Sequence, residues 1–426
     1  MPAKKVKKGK GKTTIGSWDQ PGVTADGYYF GEPKPEPLDA HFATPVTDKK
    51  FYDKQFLIKS VQDVPQAKST DPYPLAKVLG NKAVKDIEDR GRVVFHCVGD
   101  TGPTGGPHTL DMVSDHMTGD FSDPPPNRPA FFFHLGDVVY NFGEEEYYFE
   151  QFYDPYRNYP GPIFAIPGNH DGLVYRTDKY TSLQAFQKHF CSDTPTHAGE
   201  AGGLLRTTMT QPGVYFALQA PFVTIIGLYS NALENFGVIS SENGHYPSLD
   251  DRQTKFLTKQ LQAVKNNVGA TVVSVHHPPF SGDGTHGGSP KMLADIDACI
   301  EAAQFCPHAI LSGHAHIYQR YTREVKYKFA NNTYEVPYIV AGSGGHRVTP
   351  PRTASLTSTR TPTKHAQGVR MEKYIPDFGY MRVTVDDKKI MLEFIQVNPA
   401  IGKTKSATDR VTVDLQSRTL TTTPIT

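Results

Sequence analysis

Short apolar runs recur between residues 92 and 340, and most stop at a glycine or a polar turn. Residues 92–98, 130–135 and 163–166 are almost wholly apolar, with no polar face. That pattern predicts strands buried on both sides. Two further strand runs follow at 214–218 and 222–229, and residues 271–275 and 309–311 predict two more. Helical spacing appears instead at 249–266, where Phe256, Leu257, Leu261 and Val264 lie between polar positions. Residues 75–90 and 294–305 predict two more helices. Near the end, 380–385 and 390–397 flank Asp386-Asp387-Lys388-Lys389 and predict a hairpin, and 411–415 one more strand. Strands alternate with helices in the first half and are joined by hairpins in the second. This predicts two packed sheets with helices outside.

The chemistry lies where the strands stop. Five stretches carry residues able to bind a metal, in this order: Gly99-Asp100-Thr101-Gly102, Gly136-Asp137-Val138-Val139-Tyr140, Gly168-Asn169-His170-Asp171, His276-His277-Pro278 and Gly313-His314-Ala315-His316. Four of them follow an apolar strand run, where the loops of an α/β sheet converge on a site. Singly, each is an ordinary turn. Together they offer carboxylates, a phenol, an amide and imidazoles, a set that suits two metal ions sharing a bridge. Asp137 is the expected bridge, because a carboxylate can hold two cations roughly 3.5–4 Å apart. Asp100 serves one ion, Asn169 the other, and His276, His314 and His316 complete both shells. A phenol has a pKa of about 10, so Tyr140 as a ligand implies a strong Lewis acid, iron(III). The imidazoles and amide suit zinc, manganese or ferrous iron equally.

Beside these, His170 is expected to face substrate, where it would bind a phosphoryl oxygen or protonate the leaving alkoxide, with Asp171 orienting it. His286, in a glycine-rich loop, is a second candidate for contacting phosphate. The glycine-rich run 101–107 lacks the Gly-Lys-Ser/Thr ending of a P-loop and is read as a close-approach loop beside metal.

Composition narrows the class. The 426 residues are 38% hydrophobic and 21% charged with net charge +1, which suits a globular protein and gives no overall bias toward nucleic acid or anionic membranes. No run reaches the roughly 18 apolar residues of a membrane span. The lysine-rich residues 1–14 lack an apolar core and do not read as a secretory signal. Cys97, Cys191, Cys299 and Cys306 lack metal-type pairing, and Cys97 sits inside a strand run. A cytoplasmic protein is expected, with a secreted mature chain as the alternative. The aromatic cluster at 142–159 is expected to be core. The domain reading is a disordered basic tail at 1–25, a wrapping segment at 26–90, a catalytic domain at 91–400 with a surface loop at 347–370, and a C-terminal strand and tail at 401–426. The basic tail is the one segment suited to nucleic acid or a membrane surface.

On these motifs the chain resembles the calcineurin-like metallophosphoesterases and, within them, the purple acid phosphatases of the short, single-domain type. Gly99-Asp100-Thr101-Gly102 and Gly136-Asp137-Val138-Val139-Tyr140 are similar to that group's opening, in which a tyrosine replaces the histidine of the wider superfamily. Ile317-Tyr318-Gln319-Arg320 and the run 338–345 are similar to the segments that follow, and the resemblance spans roughly 92 to 397. It implies a four-layer αββα sandwich of two mixed sheets flanked by helices. It implies iron(III) on Asp100, Asp137, Tyr140 and His316. A divalent ion would sit on Asp137, Asn169, His276 (rather than His277) and His314, with a bridging hydroxide or water between the two. His170 and His286 match substrate-binding or acid positions. The expected activity is hydrolysis of small phosphomonoesters by in-line attack of a metal-bound hydroxide. The alternatives are a phosphodiesterase or phosphotriesterase on the same site, or a non-catalytic binding protein that keeps the fold.

Overall fold

The computed structural model describes residues 64–103, 107–174, 179–233, 236–244, 246–283, 286–349, 368–397 and 405–422, with a short antiparallel pair at Gly22–Val23 and Tyr29–Phe30. The remainder of the expected tail and wrapping segment before residue 64, and 350–367 of the expected loop, lie outside the described residues. Along the chain the main elements are β1 (Tyr73–Pro74), α1 (Ala76–Asp89), β2 (Val93–Val98), α2 (His108–Gly119), β3 (Phe132–His134), β4 (Ile163–Ala165), α3 (Gln184–Phe190), β5 (Phe216–Ala220), β6 (Val223–Leu228), α4 (Arg252–Val264), β7 (Ala270–Val275), α5 (Pro290–Ala303), β8 (Ala309–Ser312), β9 (Tyr318–Val325), β10 (Tyr334–Ala341), β11 (Val369–Ile375), β12 (Gly379–Val385), β13 (Lys389–Val397), β14 (Lys405–Asp414) and β15 (Leu420–Thr422).

These strands form two mixed sheets. One runs β15-β14-β13-β12-β2-β3-β4, with β2, β3 and β4 parallel. The other runs β11-β9-β10-β8-β7-β6-β5-β1, with β6, β7, β8 and β10 parallel. Alternation along β2 shows the layering. Val93, Phe95 and Cys97 face the second sheet, in a core shared with Phe216, Leu218, Ile225, Val272 and Leu311. Val98 faces outward, in the cluster that holds Leu110, Val113 and Met117 of α2. Rings meet across the gap: Tyr318 of β9 stacks on Phe394 of β13 at 4.1 Å, and Phe133 meets Phe216 at 5.9 Å. On the far side, Phe256, Leu257 and Leu261 of α4 and Met292, Ile296 and Ile300 of α5 share a cluster with Ile226, Val273 and Ile310. The molecule is therefore a helix–sheet–sheet–helix sandwich. All four cysteines are buried and unpaired. No helix among the described residues is long and apolar enough to cross a membrane.

Most expected strands and helices are present, with shifts that have local causes. Helix α5 begins at Pro290 rather than 294. Ser289 accepts the Met292 N–H at 3.4 Å and Pro290 takes the first helical position, a start signal four residues upstream of the apolar spacing. Helix α2 was not expected; the glycine-rich run before it masks its start. Strand β11 begins at Val369, inside the expected loop, and β14 is longer than expected and pairs along the whole of β13. The aromatic cluster is core, with Tyr147, Tyr148, Phe152, Tyr153, Tyr156 and Tyr159 all buried.

Candidate metal centre

Both sheets direct the C-terminal ends of parallel strands to one place. Asp100 follows β2, Asp137 and Tyr140 follow β3, and Asn169 follows β4. On the other sheet His276 follows β7 and His314 follows β8, with His316 just before β9. The loops are joined by backbone hydrogen bonds: Asp100 N to Gly136 O at 2.9 Å, Thr101 N to Asp137 O at 3.2 Å, and Gly313 N to His276 O at 2.9 Å. The His314 N–H donates to Asp100 Oδ2 at 2.7 Å and so ties one sheet to the other. The turns are sharp. Asp100, Asp137 and His314 have φ of 58°, 53° and 67°, a left-handed conformation that costs a non-glycine residue free energy. At Gly168 an added Cβ would lie 2.1 Å from Asp137 Oδ1, so only glycine lets these two loops approach.

All seven expected ligand residues converge, and each is buried. The Tyr140 phenol oxygen lies 3.0 Å from Asp100 Oδ1, 2.8 Å from Asp137 Oδ2 and 3.2 Å from His316 Nε2. On the other side, His276 Nε2 lies 3.2 Å from the same Asp137 Oδ2, and His314 Nδ1 lies 3.0 Å from Asn169 Oδ1. Asp137, His276 and His314 each offer a ligand atom within 4.8 Å of the others. Asp137 Oδ1 accepts the His170 N–H at 2.9 Å. The Asp137 oxygen that lies nearest to both halves is therefore Oδ2.

These separations fit a metal. Ligands held at about 2.0–2.2 Å from one ion stand roughly 3–3.5 Å from each other. His276 Nε2 is buried and faces two carboxylates, Asp137 Oδ2 at 3.2 Å and Asp100 Oδ1 at 4.0 Å, a donor set that suits a cation. His276 Nδ1 is 2.8 Å from the Leu135 carbonyl, to which it donates; that fixes the tautomer and leaves Nε2 as the electron-pair donor. His277, the alternative, is held by Ser230 Oγ at 3.0 Å, and its ring packs 4.2 Å from that of His314.

Electrostatics agree. Burial, with the adjoining Asp137 charge, pushes the Asp100 carboxyl well up, and His276 opposes it. Burial opposes the charge on Asp137 too, but His276 and His170 outweigh it and hold that carboxyl below the usual range. His276 is held at about 9, because Asp137 and Asp100 overcome its burial. A cation entering here takes the place of a proton. Tyr140 is pushed well above the ordinary phenol value, first by burial and then by Asp100 and Asp137. Only a strong Lewis acid reverses that preference.

The two expected pocket histidines are also present. The His170 ring lies 4.3 Å from the Tyr140 ring, and its Nδ1 donates to the Asn141 carbonyl at 2.7 Å. Asp171 does not orient it, contrary to expectation. That carboxylate accepts the backbone N–H groups of Val138 (3.1 Å), Val139 (3.3 Å) and Gly168 (2.8 Å), and so joins the Asp137 loop to the Asn169 loop. Burial and Asp137 raise it to about 7. His286 Nδ1 is 2.7 Å from Asp283 Oδ2, and its ring is 4.6 Å from His314 and 4.9 Å from His316.

Several supporting residues were not foreseen. His346 stacks flat on Tyr140, 3.7 Å between centroids and 7° between planes. Gln151 accepts the Tyr140 N–H at 2.7 Å and donates to its carbonyl. His134, held near 3 by burial and His276, takes the Gly136 N–H on Nδ1 and reaches Thr101 Oγ1 at 2.8 Å with Nε2. Asp283 had a readable signal, an Asp-x-x-His spacing. His346 had only the glycine run before it.

Comparison with known proteins follows the same lines. A family model described as calcineurin-like phosphoesterase matches residues 93–318. No curated protein matches the chain. A purple acid phosphatase from yellow lupin (Lupinus luteus) seeds superposes with a TM-score of 0.51 at 17% identity, covering 76% of this chain and 54% of that one. This chain thus spans about half the length of the lupin protein. GAP50, the anchor in the inner membrane complex of Plasmodium, superposes with a TM-score of 0.50 at 13% identity, covering 74% of this chain and 88% of that one. At such identities the likeness is one of fold.

Proposed function

Because the chain belongs to the calcineurin-like phosphoesterase family, a family of metal-dependent phosphoesterases, we propose that it hydrolyses phosphomonoesters at a two-metal centre. Asp100, Tyr140 and His316 would hold iron(III), Asn169, His276 and His314 would hold a divalent ion, zinc, manganese or iron, and Asp137 would serve both. When bound, such a pair would supply Lewis acidity to the phosphoryl oxygens and to a water molecule. The observation that carries this reading is the phenol oxygen of Tyr140 lying within 3.2 Å of Asp100, Asp137 and His316 together. Protons hold this cluster of buried donors together, and a cation would take their place.

The remaining steps belong to the protein. His170 donates Nδ1–H to the Asn141 carbonyl, so its Nε2 is the atom left for the substrate. Protonated there, it stabilises a phosphoryl oxygen or hands a proton to the leaving alkoxide. His286, held by Asp283, sits against His314 and His316 and would be a second group to contact the phosphoryl oxygens. No activated serine or cysteine is needed.

A paired assay with 4-nitrophenyl phosphate and bis(4-nitrophenyl) phosphate tests the reading. The monoester should have a kcat/KM at least about tenfold higher, a gap of roughly 1.4 kcal/mol, and a chelator should abolish turnover of both. A higher value for the diester would assign the site to phosphodiesters instead.

A further inference from the structure

The loop that follows β10, residues 342–349, is pinned against the centre at several points. Gly344 N donates to Gly99 O at 3.1 Å and His346 N to Asp100 O at 3.0 Å. The His346 ring lies on Tyr140 while its Nδ1 donates to Gly102 O at 2.9 Å. Further along, Thr349 N donates to His316 O at 3.1 Å. A Cβ at Gly342 would stand 2.2 Å from Ala315 O and 2.7 Å from Asp100 Oδ2, so the loop fits only as glycine allows. Between the fixed positions His346 and Thr349, Arg347 emerges with an exposed side chain. Its partner among the described residues is the His316 ring: Arg347 Nε lies 3.5 Å from His316 Nδ1.

That contact is at the long end of the hydrogen-bond range. It also conflicts with metal binding. For Nε2 of a neutral imidazole to hold a cation, Nδ1 must carry the hydrogen. A protonated Nδ1 cannot accept from Arg347. Loading the centre therefore breaks this contact and frees a permanently charged guanidinium next to a ligand residue, on a loop pinned at His346 and Thr349.

Resting on the phosphoesterase reading above, we propose that Arg347 grips the phosphoryl group and reads its second negative charge, so that the site selects dianionic phosphomonoesters over diesters. A guanidinium is planar and pairs two N–H groups with two oxygens of one anion. A monoester dianion has three terminal oxygens, so one stays free after two metals are served, and the fork can pair it with a metal-bound one. A diester carries one charge and two terminal oxygens, and its second ester group stands where that free oxygen would be.

The test uses the metal-loaded full chain, as wild type, Arg347→Ala and Arg347→Lys. Binding of inorganic phosphate is measured by calorimetry, metal content by elemental analysis, and kcat and KM with both nitrophenyl esters. Arg347→Ala should keep its metals, weaken phosphate about 10–100-fold and raise the monoester KM by a similar factor. The diester should suffer less, so the monoester-to-diester ratio falls about tenfold. Arg347→Lys should recover part of the loss, since it restores charge without the fork. Unchanged phosphate affinity in Arg347→Ala would overturn the proposal. So would an equal loss on both esters, which would show that Arg347 only positions His316. If the wild type hydrolyses neither ester, the failure belongs to the functional reading, and the phosphate titration still decides the role of Arg347.

Discussion

Asp137→Asn should leave the protein folded, with no more than one metal ion per chain and a kcat lower by about a thousandfold or more. Asp137 Oδ2 lies 2.8 Å from the Tyr140 oxygen and 3.2 Å from His276 Nε2, so it faces both halves of the centre at close range. An amide there carries no charge and offers one oxygen, which the His170 N–H already occupies in the native arrangement at 2.9 Å. That oxygen keeps the loop in place while the bridge is lost. Metal-ion catalysis is worth several kcal/mol, and each 1.36 kcal/mol is a factor of ten. Elemental analysis and steady-state kinetics on the same preparation check both parts. A variant with two ions and turnover within tenfold of wild type would remove Asp137 from the bridging role.

Asp171→Ala should cost roughly 2–4 kcal/mol of stability and about a hundredfold in activity. The carboxylate is fully buried and accepts three backbone N–H groups from two loops. Alanine leaves those donors without an acceptor, and each buried orphan costs about 1–3 kcal/mol. The two loops carry Asp137 and Asn169, so their relative position is set by this side chain. Asp171→Asn keeps one acceptor and should recover about half of the loss. Urea unfolding with kcat measured in parallel separates the outcomes. A wild-type midpoint and wild-type turnover in Asp171→Ala would show that the two loops are held by other contacts.

The difference between Asp137 and Asp171 marks what the sequence could reveal. Asp100, Asp137, Asn169, His276 and His314 were legible because each is the first donor after a strand that runs into the site. The signal is local, an apolar run and then a glycine or turn. Asp171 is just as close in sequence, but its partners Val138 and Val139 lie some thirty positions away on another loop. No spacing announces that. His346 reaches Tyr140 from the far end of β10, and its ring lies flat on a phenol about two hundred residues earlier in the chain. The strands themselves were readable from their apolar runs, but their order was not. That β2 lies between β3 and β12 depends on pairing with residues nearly three hundred positions apart, from Val93↔Val385 to Cys97↔Met381. Helix α2 was hidden for a simpler reason: its first turn follows a glycine-rich run that reads as loop.

The proposed centre has residues from five loops holding two cations across Asp137, one of them ferric through Tyr140. Elemental analysis of the wild-type chain with its visible absorption spectrum, repeated on Tyr140→Phe, tests it most directly. The expected result is two ions per chain, one of them iron, with a visible band that disappears in the phenylalanine variant. One ion or none in the wild type, or a band unchanged in Tyr140→Phe, would contradict it.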